Sequence, residues 1–98
     1  MEQEQLIVLI DDDPNVLDAT STVLRMDGYA VRTLADPARA LDFIREAVPD
    51  LVLLDRTMGE IDGLDICRQI KEDPLLHDVL VVHLSGNKVT TDQQALGL

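Results

Sequence analysis

Four carboxylates and one hydroxyl are the groups of this chain whose placement could do chemistry. Asp11, Asp12 and Asp13 follow the apolar run "LIVLI" (6–10) without a break, Asp55 closes the run "LVLLD", and Ser85 closes "VVHLS". Adjacent like charges repel, and burying one of them without a partner is costly. Carboxylates gathered at one site either raise each other's pKa or hold a hard cation. Oxygen ligands without clustered His or Cys point to Mg²⁺ rather than zinc or copper. The letters "DDDPN" also begin a calcium-loop pattern, but its sixth position is Val16 instead of Gly and its twelfth is Thr22 instead of Glu, so that reading is rejected. Asp13, standing before Pro14, has the ordinary reading of a helix cap. For Asp11 and Asp12 the competing reading is a solvated acidic strand end, and Asp55 tells against it by repeating the arrangement on another run.

The elements that must position these groups are legible as apolar runs and helical spacings. "LIVLI" (6–10), "LVLL" (51–54) and "VLVVHL" (79–84) are apolar almost throughout, as strands covered on both faces of a parallel sheet are. "YAVRTL" (29–34), which contains Arg32 and Thr33, reads as an edge strand. Between the runs, Asp13-Pro14 opens a first helix and Gly28 stops it, with Val16, Leu17, Thr20, Val23 and Leu24 expected to share one face at i, i+3/i+4 spacing. A second helix opens on Asp36-Pro37, with Ala40, Leu41, Ile44 and Ala47 as its stripe. A third spans about Gly63 to Lys71, before Pro74. The order β-α-β-α-β-α-β predicts an α/β fold with a doubly wound parallel sheet and right-handed crossovers. In such a sheet ligands bind at the carboxyl ends of the strands, where Asp11, Asp12, Asp55 and Ser85 would converge. The 13 residues after Ser85, "GNKVTTDQQALGL", are enough for one short helix.

Composition bounds the partners. With 98 residues the chain is one small domain, whose core must be aliphatic because Tyr29 and Phe43 are its only aromatics. Nineteen acidic residues against eight basic ones give a formal charge of −11, which argues against nucleic acid and anionic membrane surfaces. The single Cys67 excludes an internal disulfide framework and suits a reducing compartment. No apolar run approaches the roughly 18 residues of a membrane span, and "MEQEQ" is no signal peptide, so a cytoplasmic location is expected.

Taken together, "LIVLIDDDP", "PDLVLLDRTMGEIDG" and "VLVVHLSG" resemble the receiver (response regulator) domain of two-component signalling, over about Leu6 to Leu98. The resemblance implies a flavodoxin-like sheet of strand order 2-1-3-4-5 and a role for each acid. Asp55 would be the phosphoacceptor, taking a phosphoryl group from a sensor histidine kinase or phosphotransfer protein. Asp12 would bind Mg²⁺ directly, Asp11 would hold the ion through water or assist it, and Asp55 and the backbone carbonyl of Thr57 would complete the ligands. Ser85 would be the hydroxyl that senses the phosphoryl group. A carboxylate is a competent nucleophile at phosphorus when developing charge is neutralised, and the added charge then biases a two-state element. The implied protein is a signalling module, not a turnover enzyme.

The departures are specific. Gly59 stands where the family usually has Pro. The family's fifth strand, with its Lys, and its fifth helix have no counterpart, so residues 1–98 are expected to form a receiver truncated after the fourth strand and a short fourth helix, or a fragment of a longer regulator. Lys88 is read as an exposed loop residue and does not take over the missing Lys. Cys67 is read as a small core residue, His83 as a structural residue on the same side of its strand as Ser85, and His77 as a surface one. The fourth strand would be a bare edge, a route to self-association. Two other functions compete with the phosphorylated switch. One is a receiver-like interaction module that is not phosphorylated. The other is a phosphotransferase of the haloacid dehalogenase type, which is set aside because Thr57 follows Asp55 where that family has a second Asp.

Overall fold

The computed structural model describes residues 5–55, 57–58, 60–85 and 88–91. Strand β1 (Leu6–Ile10) leads to helix α1 (Pro14–Met26) and strand β2 (Ala30–Leu34). A 3-10 turn at Pro37–Arg39 then enters helix α2 (Ala40–Ala47), followed by strand β3 (Leu51–Asp55). Two short strands, β4 (Thr57–Met58) and β5 (Ile61–Asp62), form a separate antiparallel ribbon before helix α3 (Gly63–Glu72). Strands β6 (Leu80–Ser85) and β7 (Lys88–Thr91) complete the main sheet, whose order is β2-β1-β3-β6-β7. The first four of these strands are parallel, as the continuous apolar runs require, and β7 is antiparallel to β6.

Local chemistry sets the helix ends. Asp13 accepts the Asn15 N–H at 2.9 Å with Pro14 in the first turn, and Asp62 caps α3 by accepting the Leu64 N–H at 2.9 Å. At the far end of α1 the Gly28 N–H donates to Arg25 O and the Tyr29 N–H to Leu24 O, while Gly28 takes a φ of +97°. That is a Schellman ending, with Leu24 and Tyr29 as its apolar contact. Helix α2 starts later than its Asp-Pro signal implies: Asp36 caps the 3-10 turn through Ala38 N–H, and the α-helix begins only at Ala40.

The sheet's two faces are covered unequally. Val8, Ile10, Val52, Leu54 and Val81 pack under α2 and α3 with Ile44, Ile66, Cys67 and Ile70, all of them buried. On the other face α1 seals a smaller core of Leu9, Leu17 and Val31, with Leu24 against it, whereas Val23, expected on the same face of the helix, points to solvent and is 64% exposed because the buried stripe runs through Leu17, Ser21 and Leu24. His83 and Cys67 are wholly buried and His77 is exposed, as expected.

Beyond Ser85 the structure departs from expectation. Residues 88–91, expected within a helix or loop, form β7, and Lys88 lies opposite Ser85 in its register. Val89, Thr90 and Thr91 are consecutive β-branched residues, which favour a strand. The fourth strand of the parallel set, β6, is therefore not a bare edge, because β3 and β7 flank it. The remainder of the expected helix, 92–98, falls outside the described residues.

Candidate functional site

Asp11 is the first residue after β1, and its N–H still reaches Leu34 O at 3.2 Å, extending the β1–β2 ladder by one step. The ladder fixes its backbone, and the residue is only 5% exposed. Asp12, one residue on, is exposed, and Asp55 at the end of β3 is half-buried. The parallel β1–β3 register puts both strand ends on the same sheet edge. Carboxylate oxygens of Asp11, Asp12 and Asp55 consequently lie within 4.8 Å of one another.

The triple acid thus divides its labour. Asp11 and Asp12 go to the cluster, and Asp13 caps α1. Asp13 also serves the cluster through its backbone, since its N–H donates to Asp11 Oδ1 at 2.9 Å. This Asx turn fixes the Asp11 carboxylate and was not singled out from the sequence, although an Asp two residues before an N-cap is its usual signal.

Burial pushes the Asp11 carboxyl above its ordinary range, and the neighbouring charges of Asp55 and Asp12 push the same way against the Asp13 N–H. A group in that position gains from either a proton or a cation. The donors are all oxygens and include a buried carboxylate, which fits a hard divalent ion such as Mg²⁺.

The other expected site residues are placed by their backbones. Asp55 is in register with Leu84, so Ser85 stands one step beyond it at the same end of the sheet, though its side chain lies outside the described residues. Thr57 is in β4, two residues past Asp55, paired with Asp62. The β4–β5 ribbon is a feature that spacing did not reveal. It is anchored by Met58, 1% exposed in the larger core beside the half-buried Ile61, and so ties the segment after Asp55 to the start of α3. Gly59 is outside the described residues.

Comparison with known proteins agrees with this geometry. The family model described as "Response regulator receiver domain" matches residues 7–97. The chain is 36% identical over 88 residues to the DNA-binding response regulator MtrA of Mycolicibacterium smegmatis, and 33% identical over 80 to the DNA-binding dual master transcriptional regulator RpaA of Synechocystis. These matches cover 90% and 82% of this chain but only 37% and 33% of those proteins. Among solved structures, the N-terminal domain of a response regulator receiver protein from Methanoculleus marisnigri aligns with a TM-score of 0.81 at 33% identity, covering 90% of this chain and 72% of that one. The chain belongs to the response regulator receiver domain family.

Proposed function

We propose that this chain is a phosphorylation switch in which Asp55 accepts a phosphoryl group from a phosphohistidine of a sensor histidine kinase or phosphotransfer protein. The observation that carries this reading is the convergence of Asp11, Asp12 and Asp55 within 4.8 Å at the carboxyl edge of a parallel sheet. In the transfer a carboxylate oxygen of Asp55 forms the new O–P bond while the P–N bond to the donor imidazole breaks, and the imidazole leaves carrying a proton. Asp11, Asp12, Asp55 and the Thr57 carbonyl would hold Mg²⁺, which when bound supplies charge neutralisation at the phosphoryl oxygens. The ladder bond of Asp11 and the Asp13 N–H hold the Asp11 carboxylate in place before any ligand arrives. The Ser85 hydroxyl, one register step beyond Asp55, is the candidate sensor of the new phosphoryl charge.

The chain acts in this reading as a signalling module without substrate turnover, in the cytoplasm. No described helix is long and apolar enough to cross a membrane. The DNA binding in the relatives' names belongs to proteins of which the match covers 37% or less, and the charge of −11 opposes nucleic-acid contact by this domain.

Intact mass after incubation with Mg²⁺ and acetyl phosphate tests the proposal. One labile phosphoryl adduct is expected, absent from Asp55→Asn and from a metal-free sample. A folded, Mg²⁺-binding chain that gains no adduct would refute it and favour a receiver-like module that works by interaction alone.

A further inference from the structure

Two of the expected cation ligands stand on backbone that the main sheet holds. Asp11 is fixed by its ladder bond to Leu34 O and by the Asp13 N–H, and Asp55 is paired with Leu84 at the end of β3. Thr57 is different. Its strand, β4, lies outside the main sheet and pairs with β5 alone among the described strands. A ribbon of two residues a side has too few ladder bonds to hold itself together in water, so its position must be set by packing.

The register shows what the ribbon uses and what it leaves. Met58 faces Ile61 and Thr57 faces Asp62, so the two strands are joined across positions 59 and 60 alone. The pair that flanks so short a connection is the hydrogen-bonded one, and pairs along an antiparallel ladder alternate. Thr57 and Asp62 therefore make no ladder bonds with each other, and the Thr57 carbonyl is not consumed by the ribbon. The packing that holds the ribbon centres on Met58. Its side chain is buried in the cluster that contains Leu54, Ile66, Cys67 and Ile70, and Ile61 is half-buried against the same cluster. The far strand is fixed too: Asp62 accepts the Leu64 N–H at 2.9 Å as the cap of α3, and the adjoining Gly63 is buried.

We propose that Met58 is a positioning residue of the cation site: seated in the core, it holds the ribbon so that the Thr57 carbonyl is presented to the Asp11–Asp12–Asp55 cluster. The inference rests on the cation chemistry proposed for that cluster and adds to it a residue that touches no ligand. Because the group presented is a backbone oxygen, the packing of residue 58 matters more than the side chain of residue 57. Coupling of this kind is reciprocal. Cation binding should in turn tighten the ribbon and the first turn of α3, which meet at Asp62.

Calorimetric titration of the folded chain with Mg²⁺, beside hydrogen exchange of the amides from Ile61 to Asp65, tests this. Met58→Ala should raise the Mg²⁺ dissociation constant by roughly 10-fold or more, the usual scale for an outer partner of a metal ligand. Met58→Leu, which conserves volume, should restore most of the affinity. Ile70→Ala opens the same core near the far end of α3, so it should lower the urea midpoint at least as much and leave the dissociation constant unchanged. Saturating Mg²⁺ should slow exchange from Ile61 to Asp65 in the wild type and in Met58→Leu, but not in Met58→Ala. Ile61→Ala, a milder cut to the same anchorage, carries the test if Met58→Ala does not fold. A folded Met58→Ala or Ile61→Ala chain with wild-type Mg²⁺ affinity overturns the proposal, and so does an Ile70→Ala chain weakened as strongly. A wild type that binds no Mg²⁺ overturns both this inference and the switch on which it rests. Mg²⁺ binding with the expected responses but no phosphoryl adduct would sink the switch alone and leave the role of Met58 standing.

Discussion

Asp11 carries the cost of the acidic cluster. Its carboxyl is pushed above the ordinary carboxylate value because burial disfavours the charged form and Asp55 and Asp12 add like charge. A raised acid favours the folded state when protonated. Its contribution is therefore greatest at acid pH and declines as pH rises from the unfolded value through the folded one, remaining a cost at neutrality. Asp11→Asn mimics the protonated state, so at pH 7 without divalent ions the variant should melt above the wild type. The gap should close as pH is lowered towards 4. Adding Mg²⁺ should stabilise the wild type and leave the variant nearly unmoved, reversing the order. Thermal melts over pH, with and without Mg²⁺, check both signs, and a variant less stable than the wild type without metal would mean that Asp11 is held mainly by its hydrogen bond from Asp13. The split role of the triple acid was partly visible in the sequence: the cap at Asp13 follows from Pro14, and the pair at 11–12 from the end of an apolar run. The Asp13 N–H bond to Asp11 was not visible, since it depends on how the chain turns between strand and helix.

The helices α1 and α2 solve the same ending with different residues. Gly28 provides the left-handed turn after α1 at φ +97°, and a Cβ there would meet nothing within 4 Å, so a substitution is penalised by backbone strain alone. Val48 ends α2 in the same region at φ 43°, where a β-branched side chain is strained. Gly28→Ala should destabilise by roughly 1–2 kcal/mol, and Val48→Gly should stabilise by about 0.5–1 kcal/mol after allowing for glycine's freedom in the unfolded chain. Urea unfolding of the two variants would show opposite shifts of midpoint with unchanged slope. Elements long enough to show a period were legible in the sequence: the apolar runs became β1, β2, β3 and β6, and the three helices fell between them. Shorter elements were not. The 3-10 entry to α2, the two-residue strands β4 and β5, and β7 carry too few residues for periodicity. Their form comes from partners distant in sequence, such as the core around Met58 and the edge of β6.

At the scale of the whole molecule, charge and burial oppose one another. Nineteen acids against eight bases make the folded chain self-repelling, and a domain this small, whose described residues cover one sheet face with two helices and the other with one, has limited reserve. Two kinds of cation should relieve this differently. Sodium chloride screens the whole charge distribution, so the melting temperature should climb gradually with concentration and without a plateau. Magnesium chloride should add a saturating rise, because binding to the Asp11–Asp12–Asp55 cluster stabilises only the folded state. At a hundredfold excess over its dissociation constant that contribution is about 2.7 kcal/mol, equivalent to roughly 10–20 °C for a domain of this size. Asp12→Asn should abolish the saturating part and keep the gradual one.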